Sequence, residues 1–251
     1  MSPAEPVLRA RELTRRFGGL VAVDRVSLDL HRGSVHAVIG TNGAGKSTLV
    51  NVLAGEIPAS SGSVTLRGHD VTRWPQPRRA RAGIGRSYQR TTLFMQFSVL
   101  ENCRLAAQAH HQKPWSLWTD AASCPRAVPA AREAAARAGL ADVLETPAFA
   151  LSHGQRRQLE IAMCLATGPE VLLLDEPLAG MGAEETDRML ALLAELRAGH
   201  AVLLIEHDMD AVFRIADVIT VMVNGAVLAR GTPPAVRANP EVQAAYLGEA
   251  A

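Results

Sequence analysis

One stretch decides the fold of this chain: Gly40-Thr41-Asn42-Gly43-Ala44-Gly45-Lys46-Ser47-Thr48. It fits the pattern G-x-x-x-x-G-K-[ST] without a gap. The apolar segment before it, Ser34 to Ile39, is typical of a buried strand, and Ser47 to Ala54 is predicted to form a helix. Because a phosphate loop requires a strand before it and a helix after it, we predict one here rather than a glycine-rich turn that binds nothing.

The residue types of this loop suit a triphosphate and its metal ion. Glycines allow consecutive backbone N–H groups to face one anion, and the N-terminus of the following helix adds a positive dipole. Lys46 supplies a mobile cation, and the Ser47 hydroxyl is suitably placed for a Mg²⁺ ion that bridges the terminal phosphates. We therefore predict a site for a nucleoside triphosphate with Mg²⁺.

The composition narrows the class of protein. The 251 residues are 48% hydrophobic and 20% charged with a net charge of +1, so no overall charge points to nucleic acid. The apolar runs Val171 to Leu174 and Ala201 to Ile205 are far shorter than the roughly 20 residues that span a bilayer. The N-terminus lacks the features of a signal peptide, which predicts a reducing cytosol. Three widely spaced cysteines are expected to be small buried side chains: Cys103, Cys124 and Cys164.

Alternating apolar residues predict antiparallel β-structure around the phosphate loop. Val7 to Phe17 and Val26 to Leu30 form two such segments before it, and Val64 to Leu66 continues the layer after it. Asn224-Gly225 predicts the turn of a hairpin near the C-terminus. Phe17 precedes a glycine turn, where it either fills the core or offers its face to a base, and the spacing favours the core.

Three helices are predicted in the middle of the chain. A capping box at Ser98 to Glu101 begins one that reaches about Ala109, Pro129 to Ala138 forms another, and Ser152 begins a third. A basic run before them is interpreted as a solvated helix face rather than an interface for nucleic acid or lipid: Arg78, Arg79, Arg81, Arg86 and Arg90.

Two apolar runs end in charged residues. Val171 to Leu174 leads into Asp175-Glu176, and Ala201 to Ile205 leads into Glu206-His207-Asp208. Continuous apolar runs are typical of parallel strands, and ligands bind at the carboxyl ends of such strands. We therefore predict that Asp175 holds Mg²⁺ directly or through water and that Glu176 orients or deprotonates an attacking water, while His207 hydrogen-bonds the γ-phosphate.

Together these motifs resemble the ATP-binding cassette ATPases of ABC transporters, and the resemblance covers nearly the whole chain. It implies that Phe17 stacks on adenine and that Gln89 lies near Mg²⁺ and the transport subunit. Glu176 corresponds to the catalytic glutamate and His207 to the switch histidine. The sequence Ser152-His153-Gly154-Gln155 is similar to the family signature, in which Ser152, Gly154 and Gln155 contact the ATP of a partner cassette.

The resemblance also implies the architecture. It predicts an α/β fold of the P-loop NTPase (RecA-like) type, with a mostly parallel sheet, an N-terminal antiparallel β layer and an inserted α-helical subdomain. Residues 1–89 and 168–251 are assigned to the ATP-binding core and residues 90–167 to the helical subdomain, within one ABC domain. The implied ATP contacts are Phe17, Gly40, Asn42, Gly43, Ala44, Gly45, Lys46, Ser47 and Thr48, and the implied Mg²⁺ ligands are Ser47, Gln89 and Asp175.

Two positions depart from the family pattern. His153 replaces the second glycine of the signature, and residues 179–182 lack the aspartate that many cassettes carry after the catalytic strand. The first departure leaves Ser152, Gly154 and Gln155 in place. The second leaves open how two ATP sites communicate.

Within the family, several segments look like the subgroup for branched-chain amino acid uptake. They are residues 155–162, the loop 178–181, the connection 110–129 and the ending Ala245-Tyr246-Leu247-Gly248. This implies a second cassette, two membrane-spanning permease subunits, a periplasmic or extracellular binding protein, and a location on the cytoplasmic face of the bacterial plasma membrane, with no nucleic acid partner. The loop Leu93 to Phe97 then either docks on a membrane subunit or packs in the core.

Other functions stay open at this point. The same cassette could serve an importer of urea, amides or aromatic acids. A soluble ABC protein of translation or DNA repair usually has two cassettes or a long coiled coil, and this chain has no sustained heptads. A small-molecule kinase shares the phosphate loop, whereas a GTPase is disfavoured because no Asn-Lys-x-Asp motif is present.

Overall fold

The computed structural model describes residues 5–87, 93–111 and 126–247. Its strands are β1 (Leu8–Phe17), β2 (Leu20–Leu30), β3 (Val35–Gly40), β4 (Ser61–Leu66), β5 (His69–Asp70), β6 (Ile84–Arg86), β7 (Val171–Asp175), β8 (Ala201–Ile205), β9 (Val218–Val223) and β10 (Ala226–Gly231). Its α-helices are α1 (Lys46–Ala54), α2 (Gln76–Arg81), α3 (Val99–His111), α4 (Ala127–Arg137), α5 (His153–Leu165), α6 (Ala183–Leu196), α7 (Met209–Ile215), α8 (Pro233–Arg237) and α9 (Pro240–Leu247).

The strands form two sheets. An antiparallel sheet has the order β2-β1-β4-β5, and a six-stranded sheet has the order β10-β9-β3-β8-β7-β6. In the second sheet all neighbours are parallel except β10, which forms the predicted hairpin with β9. Asn224 and Gly225 both have the positive φ angles of that tight turn, 48° and 83°. The predicted combination of a mostly parallel sheet and an antiparallel layer is confirmed.

The strand order brings three functional segments to one edge. β8 lies between β3 and β7, and all three strands run in the same direction. Their carboxyl ends lead into the phosphate loop, into Asp175-Glu176 and into Glu206-His207. Because adjacent parallel strands end at the same edge of a sheet, segments far apart in sequence meet there.

The six-stranded sheet is covered on both faces, as its uninterrupted apolar runs predict. Successive side chains of a strand point to opposite faces. On β7, Leu172 and Leu174 therefore pack with the helices α3 to α6, whereas Val171 and Leu173 pack with α1 and the antiparallel sheet. The phosphate loop and α1 consequently lie between two β layers.

Every α-helix described between β6 and β7 belongs to one group, formed by α3, α4 and α5. Buried Asn102 on α3 organises the preceding turn, because its side-chain amide bonds the backbone of Phe94, Phe97 and Ser98. The predicted capping box is only half formed: Ser98 Oγ accepts the Glu101 N–H, but the Glu101 carboxylate pairs with Arg104. The helix still begins where the sequence predicts.

The strand predicted from Val26 begins six residues earlier, at Leu20. Pairing with β1 continues to the end of the hairpin, where Phe17 faces Leu20. Register shifts interrupt this ladder, and Arg25 has a φ of 48°. These bulges destroy the strict alternation by which a strand is recognised in sequence.

The interpretation of the basic run as a solvated helix face is wrong for Arg79. This side chain is fully buried, and its guanidinium donates to four backbone carbonyls, those of Val52, Leu53, Thr72 and Trp74. Val52 and Leu53 belong to the last turn of α1, whose carbonyls have no partner within the helix. Gly55, with a φ of 81°, ends α1, and Arg79 donates further hydrogen bonds to the carbonyls of its last turn.

The side chain of Arg86 is only 9% exposed, so it does not belong to a solvated face either. It forms an ion pair with Glu56 at 2.7 Å and approaches Asp175 at 3.8 Å. The cysteine prediction holds for Cys103 and Cys164, which are buried thiols whose pKa burial raises to about 12. Cys124 lies outside the described residues. Within those residues, no helix combines the length and apolar character needed to cross a bilayer.

Candidate functional site

The phosphate loop is fixed by close backbone contacts on both sides. Gly45 precedes α1 with a φ of 95°, and a Cβ there would lie 2.1 Å from the carbonyl oxygen of Ala22 on β2. On the other side, the Gly225 N–H donates to the Ala44 carbonyl at 3.1 Å. A glycine is required at position 45 because any side chain would displace the loop from β2.

Lys46 is held at the mouth of this loop. Its ammonium group donates to the carbonyl oxygens of Gly40 at 2.6 Å and Thr41 at 3.0 Å. Burial lowers the pKa of Lys46, and the carboxylates of Glu176 and Asp175 oppose that shift. The cation is therefore positioned between the loop carbonyls and the acidic strand end, where an incoming phosphate can bind it.

A cleft of about 500 Å³ opens over the loop. Its size is that of a small-molecule site. It is lined by Phe17, Leu20, Val21, Ala22, Asn42, Gly43, Ala44, Gly45, Lys46, Ser47, Thr48, Glu176, Asn224 and Gly225. The cleft thus joins the aromatic residue, the phosphate loop and the acidic strand end in one site.

Phe17 lies at the lip of the cleft and is 45% exposed, so the prediction that it fills the core is wrong. Its ring is held by Arg15, whose guanidinium carbon lies 4.4 Å from the ring centroid. The exposed ring is available to a flat ligand in the cleft. No sequence pattern predicted this role for Arg15.

Asp175 has the burial and the free acceptor atom expected of a metal ligand. It is 2% exposed, and within residues 5–87, 93–111 and 126–247 its Oδ1 atom finds no hydrogen-bond partner. Burial raises the pKa of Asp175, although the nearby Arg86 guanidinium opposes the shift. An unpartnered buried carboxylate oxygen is costly unless a ligand satisfies it. The side chain therefore fits Mg²⁺.

A metal site at Asp175 needs ligands beyond protein carboxylates. Across residues 5–87, 93–111 and 126–247, no cluster of three or more His, Cys, Asp or Glu residues is suited to a metal ion. Mg²⁺ usually takes one or two protein ligands and completes its shell with phosphate oxygens and water. Predicted ligand Gln89 lies outside the described residues.

Glu176 and His207 meet at the edge of the cleft. The Glu176 Oε1 atom lies 4.0 Å from the His207 Nδ1 atom, and the imidazole is 62% exposed. Glu176 has a φ of 50°, which is uncommon for a residue other than glycine, and its N–H donates to the Ile205 carbonyl at 2.9 Å. The backbone therefore turns sharply here and presents the carboxylate to the cleft.

Sequence patterns did not distinguish Glu206 from its charged neighbours. The structure buries it completely, at 0% exposure, and its Oε1 atom accepts the Leu178 N–H at 2.8 Å. Burial raises the pKa of Glu206, while the N–H groups of Leu178 and His207 oppose the shift. A signal was present, since Glu206 directly follows a fully apolar run that predicts a strand buried on both faces.

The predicted signature residues lie at the N-terminus of α5. Ser152 and Gln155 form a complete capping box, with bonds of 3.0 and 3.2 Å between their side chains and backbone N–H groups. The Gly154 N–H donates to the Glu185 carboxylate of α6 at 3.2 Å. The N–H groups of Gly154 and Gln155 are thus used within the chain.

The signature faces a second cleft, of about 310 Å³, which shares no lining residue with the first. Its lining includes Ser152, Gly154, Gln155, Met181 and Glu185. The structure therefore brings the phosphate loop, Asp175, Glu176 and His207 together but leaves the signature apart from them.

The two departures from the family pattern touch each other. His153 Nε2 lies 3.0 Å from the carbonyl oxygen of Ala179, so it is the protonated nitrogen of this hydrogen bond. Gly180 has a φ of 77°, and a Cβ there would lie 3.2 Å from the same imidazole nitrogen. The histidine therefore fits against the glycine turn of the loop that lacks an aspartate.

Comparison with protein families gives two matches. A family model described as ABC transporter matches residues 23–179, and one described as branched-chain amino acid ATP-binding cassette transporter matches residues 226–251. Two similar proteins are named as high-affinity branched-chain amino acid transport ATP-binding proteins. LivG of Salmonella typhimurium is 43% identical and BraF of Pseudomonas aeruginosa is 41% identical, and each alignment covers 98% of this chain and 100% of the relative.

Solved structures agree with the family matches. A nucleotide-free ATP-binding cassette from an ABC transporter superposes with a TM-score of 0.86 at 30% identity, covering 96% of this chain and 98% of that one. The ADP conformation of an ATP-binding cassette of an ABC transporter superposes with a TM-score of 0.85 at 29% identity. That alignment covers 98% of this chain and 100% of the other. The predicted P-loop NTPase fold is confirmed.

Proposed function

Because the chain belongs to the ATP-binding cassette ATPases of ABC transporters, we propose that it hydrolyses ATP to drive an importer of branched-chain or other hydrophobic amino acids. The substrate class is supported by the names of the LivG and BraF relatives and by the match of the C-terminal segment. The observation that carries the ATPase mechanism is the single cleft that holds Lys46, Ser47 and Glu176.

The chain's own residues supply binding and proton transfer. The phosphate loop and Lys46 bind the β- and γ-phosphates, and the exposed Phe17 ring stacks on adenine. Ser47, Asp175 and Gln89 are proposed to hold Mg²⁺, which when bound would neutralise charge on the terminal phosphates. Glu176 accepts a proton from the attacking water, and His207 hydrogen-bonds the γ-phosphate from the end of the neighbouring strand.

The separation of the two clefts supports a composite site. Ser152, Gly154 and Gln155 lie away from the chain's own phosphate loop, so we propose that they contact ATP bound to a second cassette. The helix N-terminus of α5 suits a γ-phosphate. Hydrolysis in the closed dimer would then require both chains.

We propose that the helical group α3 to α5, assigned to residues 90–167, forms a subdomain against the core of residues 1–89 and 168–251. On it, Phe94 and Phe97 stack with ring centroids 5.5 Å apart, and both are exposed, as is Phe149. Exposed aromatic side chains in one cluster are typical of protein interfaces. This patch is the proposed contact with a permease subunit on the cytoplasmic face of the membrane.

The base assignment is tested by Glu176→Gln. Removing the proton acceptor is expected to lower turnover at least about 100-fold while MgATP binding persists. Glu170→Gln is a matched control, because Glu170 precedes the same strand at its other end and pairs with Arg67. Near-normal hydrolysis by Glu176→Gln would mean that another group is the base.

The transport role is tested by purifying the tagged full chain from its native membrane. We expect it to copurify with a second cassette and two membrane-spanning subunits, and the complex to show ATP hydrolysis stimulated by a binding protein loaded with a branched-chain amino acid. Stimulation by urea, an amide or an aromatic acid instead would correct the substrate. Recovery with ribosomes or DNA would contradict the transport role.

A further inference from the structure

The carboxylate of Glu206 joins two loops that leave the sheet at the catalytic edge. Its Oε1 atom accepts the Leu178 N–H at 2.8 Å, and its Oε2 atom accepts the N–H of His207 at 3.3 Å. Leu178 belongs to the turn that follows Glu176, and His207 begins the segment that follows β8. One buried side chain therefore bonds the backbone of both.

Such a carboxylate is costly to bury, so its hydrogen bonds are the reason that it is tolerated. Glu206 is completely inaccessible, and N–H groups are the partners that satisfy a carboxylate. An apolar residue would be the ordinary choice directly after a strand as apolar as β8.

The two bonds hold the backbone close to Glu176 and His207. The turn after Glu176 is short, because the Ala179 N–H donates to the Glu176 carbonyl at 3.2 Å. Glu206 holds that turn at Leu178, two residues beyond Glu176. The His207 Nδ1 atom then lies 3.9 Å from Glu206 Oε2 and 4.0 Å from Glu176 Oε1. The Nδ1 atom of the imidazole thus lies near both carboxylates, and the Nε2 atom is the other nitrogen of the ring.

We propose that Glu206 is a positioning residue for ATP hydrolysis, which fixes the turn that carries Glu176 and the imidazole of His207 relative to each other. Glu206 acts through those residues and does not itself contact ATP. The proposal rests on the roles proposed above for Glu176 and His207. It predicts a loss in the chemical step that is not accompanied by a loss of nucleotide binding.

The structure offers a matched control at the opposite edge of the same sheet. There the Asp217 Oδ2 atom accepts the Val35 N–H at 2.8 Å, so another carboxylate ties two neighbouring strands through a backbone amide. Asp217 precedes β9 and Val35 begins β3, at the end of that strand remote from the phosphate loop. It has the same kind of bond without the catalytic neighbours.

The experiment compares Glu206→Leu, Glu206→Gln and Asp217→Asn in the full chain. Steady-state turnover and KM are measured in the assembled transporter, and MgATP affinity and thermal unfolding are measured on the isolated chain. Glu206→Leu removes both acceptors, and we expect kcat to fall about 10- to 100-fold with MgATP affinity changed less than about twofold. Glu206→Gln retains one acceptor oxygen and is expected to be intermediate.

Asp217→Asn is expected to lower the temperature of thermal unfolding and to leave kcat unchanged. An unchanged kcat in Glu206→Leu overturns the proposal, and so does an equal loss of kcat in Asp217→Asn. If Glu206→Leu does not fold, the test is made with Glu206→Gln. A wild-type kcat in that variant overturns the proposal, and a reduced kcat with normal MgATP affinity supports it. Failure of the base assignment is recognised separately, since Glu176→Gln would then retain turnover.

Discussion

Two helix N-termini in this protein use their donors in opposite ways. At α1 the residue before the helix is Gly45, which has no side chain that could cap the helix. At α5 the capping box of Ser152 and Gln155 is complete, and Glu185 accepts the Gly154 N–H. The N-terminus of α1 can therefore bind an anion directly. The N-terminus of α5 must first release the hydrogen bonds that its N–H groups make within the chain. The difference fits a chain that binds its own ATP first and contacts its partner's ATP afterwards.

The largest effect is expected from removing the cation of the α1 site. Lys46→Ala should weaken MgATP binding by about 100-fold, or ~3 kcal/mol, because a buried charge-assisted contact to phosphate is lost. Isothermal titration of the isolated chain measures this. Arg156→Ala is the matched variant at α5, since Arg156 also donates to backbone carbonyls, those of Ala148 and Phe149. Equal losses in both variants would remove the distinction between the two helix N-termini.

A smaller effect is expected from breaking the α5 cap. Ser152→Ala should lower the free energy of unfolding by about 1 kcal/mol, because the Gln155 N–H loses its acceptor. The chain's own MgATP affinity should stay unchanged, while turnover of the assembled complex falls. Asn239→Ala removes a comparable cap from α9 and should change stability alone. A turnover loss of the same size in both variants would contradict a contact between Ser152 and the partner's nucleotide.

The smallest effect is expected from Glu185→Gln. If the Glu185 carboxylate competes with phosphate for the Gly154 N–H, its neutralisation should lower the ATP concentration for half-maximal turnover of the complex about twofold. The neighbouring Glu184, whose side chain is 94% exposed, provides the control Glu184→Gln. Identical behaviour of the two variants would show that Glu185 affects only the overall surface charge.

Local patterns predicted the parts of this site that depend on neighbours in sequence. The phosphate loop, the charged strand ends and the start of α5 are each defined within a few residues, and the apolar runs predict parallel strands. The structure confirms that Asp175 and Glu176 lie at the end of one buried strand and His207 just beyond the end of its neighbour. The roles of these residues remain proposals.

Contacts between distant segments could not be predicted in this way. A buried Arg79 looks like any member of a basic run until α1 and the segment 72–74 bring four carbonyls to it. Glu206 and His207 are adjacent in sequence, yet one is inaccessible and the other is mostly exposed. Burial of a charged residue is decided by tertiary packing, which the residue's own neighbours do not encode.

The fit of His153 against Ala179 and Gly180 has a consequence for building chimeric cassettes. The imidazole occupies the space directly beside Gly180. A donor sequence with a bulkier residue at 180 would clash with it, and one with a different residue at 153 would lose the hydrogen bond to Ala179. Residues 152–155 and 177–182 therefore belong to one exchangeable module. Crossover points are best chosen so that both segments come from the same parent.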